Sequence, residues 1–536
     1  MSPHESSSNY DIVFIGSGIS CTAVLLSLLT KIQSDSFQAK PVTIAVIEKE
    51  KEFWTGLPYG NRSSSNSLTI TTLGEFVPTG EKEKFYKWLN ENKREWIQHY
   101  KKNGGYTAEK WLENNGEQLE AGNWDDIYVP RHLFGNYLNQ KVVKLISDSV
   151  RANSVKINLI NGEAVDVSEK NEEYRIQINN NKGQSEYIVA KKIILSIGSP
   201  PVKSINNLSD SDHKYVYIND TYSPSLNENI KSIYSSLSSD IPFDERNILL
   251  LGSNASSLEL LYLINTNKAI RSRINKITVL SYSGKLPNRI TPGNLQSYNF
   301  EGLAQLKEKK NFNSAVLIET IEKDLQIAYD NGIRVGDMYY QLSDLVVELL
   351  NELNDSQKEI FYCAYGMRFS RLIRRSGAEY SDAASELEKD GKLEFLKGSF
   401  INLEKSEVQK DSVRAIYSNS ENEICASVFS FPIVVNCGGF EDLNFSSSKL
   451  ITNIINKGYC SINCTNKGFD VNEDFEASKN FHVMGPLLGG IFNNKARLWH
   501  VENAKSIFNL ANLLVQVIAN FLLVELSVSF FFKQGF

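Results

Sequence analysis

Short, continuous apolar runs alternate along the chain with longer stretches in which apolar residues return at helical spacing. Tyr10 to Ile15 (YDIVFI) is apolar without alternation and ends on Gly16, the pattern of a parallel strand buried on both faces. TAVLLSLLTKI then reads as a helix, and Pro41 to Ile47 (PVTIAVI) as a second strand closing on Glu48. The same succession returns at Asn247, where NILLL runs into Gly252, a helix follows (SLELLYLI), and Lys276 to Leu280 (KITVL) makes the next strand. Two further apolar strands stop on glycine: KIILSIGSPP at Gly198, and PIVVNCGGF at Gly438 and Gly439. Between Ser314 and Leu396 the apolar period lengthens to that of helices, as in QLSDLVVELLNEL. Strand and helix alternating in this way predict an α/β fold made of two Rossmann-like units with a helical insertion, the insertion packing over the second unit and closing its substrate side.

Composition narrows the class. The 536 residues carry 57 Lys+Arg against 63 Asp+Glu, a net charge of -6, which disfavours nucleic-acid binding and suits a soluble, cytoplasmic protein. Six cysteines with no CxxC pair argue against a disulfide scaffold or a zinc site, so no metal is expected, and Cys460 and Cys464 read as ordinary small buried residues. The opening MSPHESSSNYD has no basic region before its apolar run, which argues against a secretory signal. The apolar tail from Ala511 to Phe532 is broken by Gln516, Asn520 and Glu525 and reads as a buried terminal helix, or a helix then a strand, in preference to a membrane anchor.

The candidate chemistry sits at the glycine turns. Gly16-Ser17-Gly18-Ile19-Ser20-Cys21 follows a strand and opens a helix: Gly16 permits the tight turn, and Gly18 lets a pyrophosphate approach the amides at the helix N-terminus. Cys21 stands where the fingerprint has Gly or Ala. Glu48, followed by Lys49, is placed to bind the hydroxyls of a ribose. The second turn, with Gly252, Ser253, Asn254 and Ser257, has a degraded glycine code and on its own also fits a turn that only packs a strand on a helix. No acid caps the strand after it, which ends on Ser281 with Lys285 nearby, so NADH and NADPH both stay open. No hydrolase triad, HExxH or kinase signature is present, and His132 and His500 read as packing or hydrogen-bonding residues, so no catalytic side chain is assigned. Arg371, Arg374 and Arg375 fall near one face if helical and are the candidate clamp for an anionic substrate, a solvated basic face being the alternative.

Five stretches carry a resemblance to a known family: GSGISC at Gly16, GLPYG at Gly56 with NRSSSNSLTITT after it, FYKWL at Phe85, YVPRHLFGNYL at Tyr128, and LLLGSNASSLELL followed by VLSYSGKLP. The chain resembles the two-dinucleotide flavoproteins of the urate hydroxylase and nitrosuccinate-forming aspartate N-hydroxylase type. The resemblance implies an FAD domain built from residues 1–200 and 401–536, with an NAD(P)H domain and its helical insertion at 201–400. It further implies that FAD lies among Gly56, Tyr59, Arg131 and the MGPLLGG segment with Gly485 and Gly490. The activity it implies is hydroxylation of a small amino or carboxylate compound by O2 through a C4a-hydroperoxyflavin, with FAD and either NADPH or NADH as cofactors. A flavoprotein reductase without oxygen insertion and an FAD-binding regulator are the alternatives. The substrate, the oligomeric state and any further partner are not readable from the residues.

Overall fold

The computed structural model describes residues 8–34, 40–205, 215–238, 240–291, 297–501 and 503–533, with side chains to residue 522. The first seven residues, on which part of the reading of the N-terminus rests, lie outside the described residues. In chain order, β1 (Ser8–Ile15), α1 (Ile19–Ser34) and β2 (Val42–Glu48) open the first unit. Helix α2 (Lys93–Asn114) belongs to a small helical layer, after which come α3 (His132–Arg151), β3 (Val155–Lys170), β4 (Glu173–Asn180) and β5 (Ser185–Leu195). The second unit has β6 (Val216–Ile218), β7 (Asn247–Leu251), α4 (Ala255–Thr266) and β8 (Lys276–Ser281). The helical insertion includes α5 (Gly366–Leu372) and passes through α6 (Ala378–Lys389) to β9 (Leu393–Lys397). Then follow β10 (Ser399–Lys405), β11 (Val413–Ser418), β12 (Ile424–Ala426), β13 (Ile433–Asn436), β14 (Glu476–Ser478), β15 (Phe481–Val483) and the terminal helix α7 (Ala504–Lys533).

In the first sheet the parallel strands lie in the order β3, β2, β1, β5, β15, and β4 runs antiparallel between the far half of β3 and the first half of β5. The second sheet is parallel throughout, in the order β9, β8, β7, β13, β6, with the antiparallel meander β10–β12 inserted before β13. The two units therefore repeat one plan: a central strand, its second and third neighbours on one side, a meander, and a fourth strand returning on the other side. Continuous apolar runs are needed because both faces are covered; Ile12, Val13 and Phe14 of β1 have no exposed surface, and neither do Ile248, Leu249 and Leu250 of β7. Helix α1 is apolar around nearly its whole circumference because the sheet covers one side and α7 the other.

This topology moves the expected boundary. Residues from Ser399 to Asn436 pair within the second unit, where β13 sits beside β7, so the chain returns to the first sheet only at β14 and β15, well after residue 401. The crossings between units form a two-stranded strap: Val202 bridges Phe440, Lys203 N donates to Gly439 O at 3.0 Å, and Glu441 N to Pro201 O at 2.9 Å.

The insertion also differs from its expected place. Its helices from Ser314 to Leu372 build a separate core that takes in Phe492 and Trp499 of the C-terminal segment, while α6 packs on α4 of the second unit. Cys464, expected to be an ordinary buried residue, is exposed and forms a disulfide with Cys363, tying the insertion to a loop of the first unit. Spacing along the chain could not show this pair, because 101 residues separate its members. The tail is a single helix. By length and hydropathy its segment Ala504–Leu522 would suffice to cross a membrane, yet half of it is buried inside the fold and it packs along α1.

Candidate functional site

Each unit places a glycine turn at the carboxyl end of its central strand, and the two turns are bonded alike. In the first, Gly16 N donates to Ile47 O at the end of β2, and Ser196 N to Ile15 O at the end of β1, both at 2.8 Å. In the second, Gly252 N donates to Leu280 O at the end of β8, and Cys437 N to Leu251 O at the end of β7, again at 2.8 Å. Gly16 has φ of 93° and Gly252 has φ of 107°, a region that suits glycine. A Cβ on Gly16 would stand 2.6 Å from Ser196 O, and one on Gly252 2.4 Å from Cys437 O. The strand ends stopped by Gly198 and by Gly438 and Gly439 thus lie beside the two turns, as their sequence suggested.

At the first turn, Ser17 N and Ser17 Oγ both donate to Glu48 Oε2 at 2.8 Å, which fixes the acid at the mouth of the turn. A Cβ on Gly18 would touch only Gly56 Cα at 3.5 Å, so the backbone there is open to a close-lying group. Ile19, Ser20 and Cys21 open α1 and are buried; the Cys21 thiol fills the contact between helix and strand, and burial raises its pKa well above the ordinary thiol value. Trp54, at φ of 78°, donates its N–H to Ser17 O at 2.9 Å and takes a hydrogen bond from Thr22 Oγ1 at 2.8 Å, bringing Gly56 against Gly18. Gly485 also reaches this place: a Cβ on it would lie 2.3 Å from Ser20 Oγ. An open glycine turn, a fixed acid and a helix N-terminus suit a dinucleotide with its pyrophosphate over Gly16–Ser20 and a ribose at Glu48.

At the second turn, Ser257 Oγ donates back to Gly252 O, and Asn254 stands before the first turn of α4 with φ of -91°, which any residue can adopt. The missing glycine at Asn254 therefore does not distort the turn. Ser253 Oγ lies 3.5 Å from Ser283 Oγ, and Gly284 N donates to Ser281 Oγ at 3.1 Å, so the end of β8 presents hydroxyls to the same crevice.

Other expected residues have different employment. Tyr59 turns its ring into an aromatic core with Phe76 and Phe134. Arg131 is buried and pairs with Glu259 of α4 at 3.0 Å while donating to Ser63 Oγ; Tyr222 completes the group by donating to Glu259 Oε2. The pair joins the two units. Gly490 serves loop packing, since a Cβ there would meet Thr465 and Asn463. Lys49 is exposed.

The arginine clamp does not form, because α5 ends at Leu372. Arg371 is exposed on the helix, while Arg374 and Arg375 lie beyond it, and Arg375 in a short strand donates to Glu75 Oε2 at 2.9 Å under the Tyr339 ring. His132 is half-buried with both ring nitrogens sealed, and desolvation lowers its pKa to about 4, so it is neutral at pH 7. His500 Nδ1 lies 3.4 Å from Ser370 Oγ of α5. No group of His, Cys, Asp and Glu fit to hold a metal occurs among the described residues.

What sequence reading missed is a set of buried polar atoms without partners between the units: Tyr100 OH, Tyr128 OH, both ring nitrogens of His132, Asn66 Oδ1 and Glu379 Oε2. Only the side chains' convergence in space gives them meaning.

The family described as FAD-NAD(P)-binding matches residues 13–200. An uncharacterised protein of Mycobacterium tuberculosis is 36% identical over 502 residues, covering 94% of each chain. Among solved structures, an ornithine N-hydroxylase of Kutzneria sp. 744 aligns with a TM-score of 0.51 at 12% identity, over 96% of this chain and 99% of its own. A cadaverine monooxygenase of Erwinia amylovora, solved with FAD bound, aligns with a TM-score of 0.53 at 12% identity, over 95% and 94%. At this identity the two structures show a shared fold.

Proposed function

Because the chain belongs to one family with the mycobacterial protein, and its residues 13–200 match the FAD-NAD(P)-binding family, we propose that it is an FAD- and NAD(P)H-dependent monooxygenase that N-hydroxylates a small amino compound. The observation that carries this reading is the repetition of one hydrogen-bonded turn at the ends of β1 and β7, which supports two dinucleotide sites in a single chain. The amino substrate follows the two solved structures of the same fold, whose names are those of an ornithine hydroxylase and a cadaverine monooxygenase. Of the two enzyme types the sequence resembles, aspartate N-hydroxylation fits this reading and urate hydroxylation does not.

In this reading Gly16, Ser17, Gly18 and the first amides of α1 hold the FAD pyrophosphate, Glu48 binds the adenosine ribose, and the segment at Gly485 closes over the start of α1. Gly252, Ser253 and the first turn of α4 hold the nicotinamide dinucleotide. Ser281, Ser283 and Lys285 supply hydroxyls and a cation with no acid at the strand end, which favours NADPH over NADH. When bound, FAD accepts a hydride from NADPH and in its reduced form activates dioxygen. The chain's own part is to orient the two nucleotides across the strap and to exclude water between the units, where the Arg131–Glu259 pair seals the contact.

The test is a set of assays with purified protein in air, supplying NADPH and one of ornithine, lysine, cadaverine or aspartate. Amine-stimulated NADPH and oxygen consumption with an N-hydroxylated product is the expected result. NADPH oxidation that runs equally well without oxygen on an added acceptor, with no hydroxylated product, would make the protein a reductase.

A further inference from the structure

Helix α6 begins at a place the nucleotide sites do not use. Glu379, in its first turn, keeps part of its surface in solvent, but its Oε2 is sealed and has no hydrogen-bond partner. Gly377, just before it, presses on Tyr128: a Cβ there would lie 2.9 Å from the ring. Tyr128 has 2% of its surface exposed and Tyr100 none, and both phenol oxygens lack a partner. The two tyrosines meet through Trp111, whose indole N–H donates to Tyr128 O at 3.0 Å and whose ring lies 5.7 Å from that of Tyr100. Tyr262 of α4 packs its ring 5.2 Å from that of Tyr380, the residue after Glu379. Beyond Tyr100 stand the unpartnered nitrogens of His132, 5.8 Å away ring to ring, and the unpartnered Asn66 Oδ1.

A buried polar atom without a partner costs on the order of 1–3 kcal/mol, so six such atoms on five neighbouring residues mark a site for something that satisfies them. The chemistry of the atoms selects its kind. A carboxylate oxygen and an amide oxygen only accept, a neutral imidazole offers one accepting and one donating nitrogen, and a phenol oxygen can accept as well as donate. The neighbouring cations Arg289 and Arg375 are already paired with Asp382 and Glu75.

We propose that Glu379, Tyr128 and Tyr100 form a binding site for a primary ammonium group, its three N–H donors meeting the carboxylate and the two phenols. The site lies at the interface of the two units and goes beyond the flavin reading, on which it does not depend. Burial raises the Glu379 carboxyl to about 7; a hydrogen bond from its own backbone N–H opposes this, Asp382 adds to it and Arg289 offsets it, and Tyr128, Tyr100 and Tyr262 sense its charge. An ammonium held there favours the ionised acid, so binding should strengthen as pH rises from 6 to 8.

Calorimetric titration of the purified full chain with n-butylammonium chloride tests the site, with sodium butyrate and sodium chloride as controls. Saturable binding of butylammonium is expected, weakened at least tenfold in Glu379→Gln and in Tyr128→Phe, with the far-ultraviolet circular dichroism of both variants unchanged. Tyr100→Phe serves if either variant fails to fold. No saturable binding of butylammonium, binding that survives all the substitutions, or equal binding of butyrate would overturn the assignment. The titration needs neither NADPH nor oxygen, so an inactive protein that still binds the amine removes only the monooxygenase reading.

Discussion

Arg131 and Glu259 show what a single buried contact can do between units. The pair is sealed from water and shared with Ser63 and Tyr222, so removing one partner leaves the other charge stranded. Arg131→Ala should therefore cost about 3–5 kcal/mol, whereas Arg131→Met combined with Glu259→Leu should recover most of it, because the double change removes both charges and keeps volume. Chemical denaturation of the three variants checks this, and equal losses in the single and double variants would contradict it. The sequence showed Arg131 inside a distinctive motif but not its role, since the acid that claims it stands 128 positions later on another helix. The clamp expected of Arg371, Arg374 and Arg375 failed for a local reason: it assumed a helix through all three, and α5 stops at Leu372. Polar atoms such as Tyr128 OH and Glu379 Oε2 are unreadable for a third reason, because a missing partner is a property of the folded neighbourhood.

At the scale of elements the sequence was a better guide. The apolar runs of β1, β2, β5, β7, β8 and β13 and the glycines that stop them fall where continuous burial and turn geometry require. The second turn was undervalued because its glycine code is degraded, yet only Gly252 needs a positive φ there, and Asn254 adopts an ordinary conformation. Gly16 and Gly18 differ in the same way, which gives an expected contrast. Gly16→Ala forces a Cβ against Ser196 O at a positive φ and should lower stability by about 1–3 kcal/mol. Gly18→Ala meets only ordinary contacts, so the fold should persist while FAD retention falls. Thermal unfolding and flavin content of the two variants separate these effects, and a Gly18→Ala protein that keeps FAD normally would remove the pyrophosphate from that backbone.

For the whole molecule, length and charge allowed several soluble domains, and the structure resolves them into two copies of one plan threaded through each other. Each sheet borrows a strand from a distant part of the chain: β15 completes the first and β13 the second. Such exchanges are set by pairing across hundreds of residues, which explains why the boundary at 401 was misplaced while the fold class was not. The strap at Val202 and Phe440, the Arg131–Glu259 pair and the Cys363–Cys464 bridge all hold the parts in register. In the proposed reading this frame positions two dinucleotides for electron transfer between them. Mixing the FAD-loaded protein with NADPH in the absence of oxygen should then bleach the flavin absorbance, which should return when air is admitted. A protein that takes up no FAD, or whose bound flavin stays oxidised with both NADPH and NADH, would contradict it.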